Sequence, residues 1–240
     1  MRAFGMLAVV VVGLAGLAAT GGGRSSQAGG SVTGKVRFTG AKPVMAKIDM
    51  SDESVCKAKY PATPTEETVV VNPNGTLANV FVYVKAGLPA GYTASAPAGD
   101  VVLDQNGCRY HPHVLGIQAG QKLAIKNSDG ILHNIKAVGK ANRPFNVSQP
   151  ISMTTERVFT APEVMVPLEC NVHGWMHAYL GVLPHGFFAV TGADGSFTIK
   201  GLPPGTYTIE AWHEKYGTQV ATVTVTAAGA KTQDFTFTAR

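Results

Sequence analysis

The chain has 240 residues, enough for one large domain or two small ones, and 45% of them are hydrophobic, which predicts a well-filled core. Only 15% are charged, and no basic run with interleaved aromatic residues occurs, which argues against a nucleic-acid-binding protein. The formal net charge of +5 would suit an acidic partner or an anionic surface. The 28 glycines and 14 prolines, with frequent Val and Thr, favour an all-β fold with many turns.

The first residues resemble a targeting segment. Arg2 precedes a continuous apolar run from Phe4 to Ala19, followed by small residues suited to cleavage. We predict a signal peptide over residues 1–23 and a Gly/Ser-rich linker over 24–30. A retained N-terminal anchor is the alternative, although the run is short for a membrane span. Export to the periplasm or the extracellular space follows, with no transmembrane span in the mature form.

Three strands are predicted before residue 90. Residues 31–40 alternate apolar and polar side chains, as expected of a half-buried strand. Residues 69–71 form a second strand that ends at an Asn-Pro-Asn-Gly turn, and residues 80–85 form a third. The stretch 87–99 is rich in Pro, Gly, Ala and Ser and is predicted to be a connector.

A seven-residue segment carries the strongest chemical signal. Cys170, His173 and Met176 have a C-x2-H-x2-M spacing and follow a strand-like run at 164–168. Thiolate, imidazole and thioether are three of the four donors of a blue-copper electron-transfer site, and His133 can supply the missing imidazole. The alternative is a buried Cys, a surface His and a core Met with no common role.

Residues 98–183 resemble a small cupredoxin of the plastocyanin and amicyanin type. Two motifs carry the resemblance, namely Lys126–Ile135 and the short Cys170–Met176 loop. The resemblance implies a Greek-key β-sandwich with one type 1 copper held by His133, Cys170, His173 and Met176. It also implies that Asn134 helps to tie the two ligand segments together.

The resemblance extends to the route of the electron. In this family the exposed edge of the second His passes the electron, which assigns that role to His173. Trp175, which replaces a different aromatic residue of amicyanins, is either a docking surface or a lid that keeps water from the metal. His177, directly after the axial Met, is a further departure from the pattern, and neither departure removes a ligand.

The C-terminal part predicts a second β-sandwich. Strands are expected at 196–199, 206–209, 220–226 and 235–238, and the segment 186–240 resembles the carboxypeptidase regulatory-like domain, a small transthyretin-type sandwich. Domains of that kind open with a strand like residues 31–36. We therefore predict that 31–90 and 186–240 form one sandwich with the cupredoxin inserted between them. A linear order of three separate parts is the rival.

The other cysteines and histidines allow further predictions. With Cys170 on a metal, Cys56 and Cys108 are free to form a disulfide in an oxidising compartment, and two separate buried thiols are the alternative. His111 and His113 could build a second metal site with His177 or His185. Simple hydrogen bonding of these histidines in loops is the favoured interpretation.

These observations favour an exported, monomeric blue copper protein, not an enzyme, that carries single electrons between redox partners. Docking to its partner protein is expected to be weak and transient, since redox encounters use small interfaces. A copper carrier or buffer that uses the same pocket is one alternative. An envelope binding module, in which the metal is secondary, is another.

Overall fold

The computed structural model describes Met1 and residues 29–239. The predicted signal peptide, 1–23, and most of the predicted linker, 24–30, lie outside the described residues apart from Met1. The prediction of an all-β fold is confirmed, because the described chain has seventeen strands and one helix of four residues, α1 (Ser54–Lys57). No helix within residues 29–239 has the length and apolar character needed to cross a bilayer.

The strands alternate with short turns along the whole described chain. They are β1 Gly30–Thr39, β2 Phe81–Ala86, β3 Val101–Gln105, β4 Tyr110–His111, β5 Val114–Gln118, β6 Lys122–Asn127, β7 His133–Ala137, β8 Phe145–Gln149, β9 Met153–Val158, β10 Glu163–Glu169, β11 His177–Leu183, β12 Phe188–Val190, β13 Ser196–Leu202, β14 Gly205–His213, β15 Gly217–Val225, β16 Ala230–Thr232 and β17 Phe235–Thr238.

Strands from both ends of the chain share one pair of sheets. β1 pairs antiparallel with β13 and parallel with β16 and β17, and the other sheet has the order β12-β2-β14-β15. Val32 and Val36, on the inward face of β1, pack in one core with Ile209 and Phe237. We call this unit the terminal sandwich.

The middle of the chain forms a second pair of sheets, which we call the central sandwich. Their strand orders are β5-β11-β10-β7-β8 and β4-β3-β6-β9. Leu103, Ile125, Leu168 and Leu180 are fully buried between them. This core includes Cys170 and Met176, so the predicted ligand loop lies at the end of a packed sandwich.

Two glycines allow the sandwiches to approach each other closely. Gly116 of β5 pairs directly with Gly181 of β11, and the rings of Phe81 and Phe188 lie against them. A Cβ atom at Gly116 would stand 2.3 Å from Phe188 Cε2, and one at Gly181 would stand 2.5 Å from Phe81 Cζ. The absence of side chains at this pair of residues therefore makes room for two aromatic rings of the terminal sandwich.

Two further predictions concern the segment between β1 and β3. The predicted strand at 69–71 is wrong, because this stretch makes only an isolated bridge between Val71 and Leu77 around the turn at 72–75. Among the described residues, 69–71 make backbone-to-backbone hydrogen bonds only to residues 76–78 across this turn, and they pair with no strand of any sheet. The predicted disulfide is present: Cys56 of α1 is bonded to Cys108, which lies between β3 and β4, with a Cα–Cα distance of 5.6 Å.

Candidate metal centre

The register of two strands brings the predicted ligand segments together. β10 pairs antiparallel with β7, with Glu169 opposite Lys136. The end of β10 therefore lies beside the start of β7, so that Cys170 comes next to His133 and Asn134. Because antiparallel pairing fixes this alignment along both strands, residues 37 positions apart in the sequence meet at one end of the sandwich.

Three candidate ligand atoms converge in the interior. Nδ1 of His133 lies 2.9 Å from Nδ1 of His173, and Sγ of Cys170 lies 3.9 Å from Nδ1 of His173. One ligand atom from each residue lies within 4.8 Å of the others, and all three side chains are buried. Two imidazoles and a thiol in a buried cluster form a donor set suited to copper, so these residues fit the ion that the spacing predicts.

Met176 is placed by the tight fold of its loop. The Cys170 N–H donates to the Met176 carbonyl at 3.1 Å, and the Met176 N–H donates to the His173 carbonyl at 2.9 Å. The thioether side chain is 2% exposed and belongs to the same core as Cys170. The seven-residue loop thus folds back on itself and keeps the predicted axial residue inside.

Asn134 connects the two ligand segments. Its Oδ1 accepts hydrogen bonds from the backbone N–H groups of Asn171 at 2.6 Å and Val172 at 3.3 Å, and it lies 3.3 Å from the Cys170 thiol. The side chain is buried. The start of β7 and the turn after Cys170 are therefore held together by one amide oxygen.

Two residues that were not predicted from the sequence, Tyr110 and Asp129, make hydrogen bonds to the segments that carry the candidate ligands. The Tyr110 hydroxyl lies 2.5 Å from the Asn134 carbonyl oxygen and 3.0 Å from that of Glu169, at the base of both segments. The Asp129 carboxylate, whose side chain is fully buried, accepts from Nε2 of His133 at 2.9 Å and from Lys59 Nζ at 2.9 Å. Asp129 could have been found from the sequence, because it lies four residues before His133 in the same motif.

Asp129 also anchors the loop that carries the disulfide. Its two oxygens accept the backbone N–H groups of Gly107 at 2.8 Å and Cys108 at 2.7 Å. Both donors have a positive φ, 66° and 54°, a conformation that is costly for the non-glycine residue. A single buried carboxylate thereby joins His133 to the Cys56–Cys108 bridge.

The electrostatics of the cluster favour a thiolate. Burial raises the pKa of Cys170, but hydrogen bonds from His133 and His173 outweigh it and lower the pKa to about 5. The His173 backbone N–H also points at Sγ, at 3.4 Å. Burial is the largest single influence on the pKa of His133 and lowers it, but the hydrogen bonds and negative charges of Asp129 and Cys170 together raise it more, so the net shift is upward. Burial likewise opposes ionisation of Asp129, and its bonds to His133 and Lys59 hold its pKa well below the usual value.

The edge of His173 is covered, which differs from the exposed edge that the family resemblance implies. His173 is 3% exposed, because Cys56 Sγ lies 3.8 Å and Glu53 Oε2 3.7 Å from its Nε2. The ring of the half-buried Trp175 lies 5.1 Å from that of His173, tilted by 45°, and its Nε1 donates to the Cys108 carbonyl. Helix α1, its disulfide and Trp175 thus form a cover. The sequence allowed for Trp175 as a lid, but the part played by α1 could not be predicted because residues 48–60 show no motif.

Of the four histidines considered for a second metal site, two lie together and two do not. His113 and His177 come together, with ring centroids 5.1 Å apart. His111 instead bonds through Nε2 to the Asn106 carbonyl at an exposed position. Both nitrogens of His185 are engaged, by the Val84 carbonyl and the Phe187 N–H. His111 and His185 therefore make hydrogen bonds outside the pair of His113 and His177, which is the arrangement that the favoured interpretation describes.

A family model matches the C-terminal part of the chain. Residues 184–238 match the family model of the carboxypeptidase regulatory-like domain, which confirms that part of the resemblance. No curated protein matches the chain.

Several solved cupredoxin structures resemble the chain in part. An oxidized mutant of amicyanin is 18% identical, with a TM-score of 0.32, over 42% of this chain and 97% of its own. A purple cupredoxin from Nitrosopumilus maritimus is 20% identical, with a TM-score of 0.30, over 35% of this chain and 97% of its own.

A copper-containing nitrite reductase from Thermus scotoductus SA-01 is also similar in part. It is 20% identical, with a TM-score of 0.33, over 40% of this chain. The chain spans about a quarter of that enzyme's length, since the match covers 25% of it.

Proposed function

We propose that this protein is an exported type 1 copper protein that carries single electrons between redox partners and is not itself an enzyme. The observation that supports the proposal is the buried convergence of His133, Cys170 and His173, with Met176 folded into the same core. When bound there, copper would supply a one-electron couple with a thiolate ligand. His133, Cys170 and His173 would hold it, and Met176 would be the weak fourth donor.

The protein's own residues contribute rigidity. Asp129 fixes Nε2 of His133 and leaves Nδ1 to face the cluster. Asn134 and Tyr110 hold the two ligand segments in register. Because both ligand segments are held by these hydrogen bonds, we expect the positions of the ligands to change little when the charge of the metal changes. Fast electron transfer needs such a small rearrangement.

A partner would meet the ligand loops at their tips. The residue directly before each histidine is exposed and apolar: Leu132 is 46% and Val172 45% exposed. Since His173 itself is covered, we propose that a redox partner docks on the surface around Leu132 and Val172. The basic net charge of +5 would favour an acidic partner, and a small apolar contact suits a weak complex.

The decisive experiment is the optical and EPR spectrum of the protein after addition of Cu²⁺, alongside Cys170→Ser. We expect an intense thiolate-to-copper band and a narrow copper hyperfine splitting in the parent and neither in the variant. Asn171→Ala, which changes a neighbouring exposed side chain, serves as the control and should keep both. A pale Cu²⁺ spectrum that Cys170→Ser leaves unchanged would overturn the proposal.

The cover over His173 favours a second candidate, a copper carrier or buffer that does not exchange electrons quickly. His173 is 3% exposed, and Cys56 and Glu53 lie against its Nε2, on the edge that the family resemblance assigns to passage of the electron. Voltammetry of the copper-loaded protein separates the two functions. A reversible one-electron wave supports the electron carrier, whereas irreversible reduction with release of Cu⁺ supports the buffer.

A further inference from the structure

A second cluster of metal-binding side chains lies where the two sandwiches meet. His113, between β4 and β5, and His177, the first residue of β11, belong to the central sandwich, whereas Glu214 lies in the turn between β14 and β15 of the terminal sandwich. One nitrogen or oxygen atom from each of the three lies within 4.8 Å of the others. Glu214 has no motif in the sequence that would link it to these histidines.

The three side chains are held in place before any ion arrives. His113 Nε2 lies 2.7 Å from Glu214 Oε1, and both side chains are almost completely buried, at 3% and 7% exposure. Nδ1 of His177 lies 3.1 Å from the Trp175 carbonyl oxygen, so it carries the proton and Nε2 keeps its lone pair. A histidine whose second nitrogen donates to a carbonyl is the usual arrangement in metal sites.

A small cleft lies beside the two histidines of the cluster. It is lined by His113, His177 and Met176 but not by Glu214, and its volume of about 10 Å³ is about the space of one water molecule. Two histidines and one glutamate with an open fourth position are a ligand set that zinc uses in proteins. Tyr179, whose ring lies 5.9 Å from that of His113, closes one side of the cluster.

We propose that His113, His177 and Glu214 form a second metal site, which binds a divalent ion of the zinc type and links the two sandwiches. When the ion binds, the hydrogen bond between His113 and Glu214 breaks, its proton passes to water, and both side chains bind the ion instead. The two clusters share no residue, so a substitution at Cys170 leaves the donor set of His113, His177 and Glu214 intact.

The test is calorimetric titration of Zn²⁺ into the full-length chain carrying Cys170→Ser, which removes the thiolate of the first cluster. We expect this protein to bind one Zn²⁺ that is lost or weakened more than about ten-fold by His177→Asn and by Glu214→Gln. His111→Asn, two residues from His113 but outside the cluster, is the matched control and should bind as the parent does. Zn²⁺ should also raise the midpoint of thermal unfolding of the parent and the control only.

Two results would overturn the proposal. One is that the Cys170→Ser protein binds no Zn²⁺, and the other is that His177→Asn and Glu214→Gln bind it as tightly as their parent. Because Glu214→Gln breaks a buried pair, its fold is checked by circular dichroism. His177→Asn keeps that pair and gives the answer if Glu214→Gln unfolds.

Discussion

Oδ2 of Asp129 lies 2.9 Å from Nε2 of His133, opposite the ring nitrogen that faces His173. The carboxylate thereby fixes both the tautomer and the orientation of the imidazole. Carboxylates that hold metal-binding histidines in this way contribute strongly to metal affinity. Asp129 also accepts bonds from Lys59 and the loop at 107–108, so His133 is tied to the rest of the sandwich through it.

Asp129→Asn should weaken copper binding by about 10–100-fold, because an amide can accept from His133 but no longer carries the charge that favours it. It should also lower the free energy of unfolding, since Lys59 loses the negative charge of its buried partner. Competition with a chelator of known affinity measures the first effect. Asp100→Asn, at an exposed position, is the control, and equal affinities of the two variants would contradict the assigned role.

Removal of the disulfide by Cys56→Ser with Cys108→Ser should have two effects. The bridge spans 52 residues, so its loss should cost about 4 kcal/mol in the free energy of unfolding on the chain-entropy model. Because Cys56 lies against His173, electron exchange between copper-loaded molecules should become faster.

The rate is measured by NMR line broadening in mixtures of oxidised and reduced protein. Glu53→Gln, which keeps the bridge, is the control for the loss of charge near His173. An unchanged rate, with an intact copper spectrum, would show that the cover is not the barrier to exchange.

Gly181→Ala should destabilise the contact between the sandwiches. The added methyl group would stand 2.5 Å from Phe81 Cζ and 2.8 Å from Met165 Cε, and overpacking of this kind costs about 1–3 kcal/mol. Gly192→Ala meets nothing within 4 Å and is the matched control. Urea unfolding compares the two, and equal stability would mean that the aromatic rings move aside freely.

A cut in the connector at 87–99 tests whether residues 31–90 and 186–240 fold as one unit, as the pairing of β1 with β13, β16 and β17 favours. After proteolysis under reducing conditions, which open the Cys56–Cys108 bridge, we expect the N-terminal fragment to stay bound to the remainder. Gel filtration shows whether it does. Separation into independently folded pieces would support the linear order instead.

His185 should make the protein less stable in mild acid. Burial lowers its pKa below the ordinary value near 6.5, and protonation of Nδ1 would break the bond from the Phe187 N–H. The unfolded chain then binds more protons than the folded chain, so stability is lost as the pH falls below about 6.5. The metal-free His185→Gln variant should lose less stability between neutral and acidic pH than the parent or His111→Gln, as measured by urea unfolding.

The parts of the molecule that the sequence predicts are those with a local signal. The alternation at 31–40 predicts β1, and the spacing from Cys170 to Met176 predicts which side chains share a loop. The three consecutive valines at 69–71 led to a wrong prediction. Their composition is typical of a strand, but in the fold they have no neighbouring strand to pair with.

Residues whose roles depend on distant contacts were not predictable in this way. Glu53 and Glu214 lie in segments with no motif, and each reaches a histidine on the other side of the fold. Asp129 is an exception, since it falls inside a recognised motif. Asp129 would have been found if the polar residues close in sequence to the candidate ligand His133 had been considered as its hydrogen-bond partners.

The position of β1 has a consequence for the order in which the protein is completed. Residues 30–39 are made early, but their partners lie at 196–202, 230–232 and 235–238. All strands of the central sandwich, from 101 to 183, are available before those partners exist. During synthesis the first strand therefore remains an unpaired edge until residues 196–238 have emerged. An unpaired apolar edge is a site of aggregation, so a chaperone that shields residues 30–39 would protect the newly made protein.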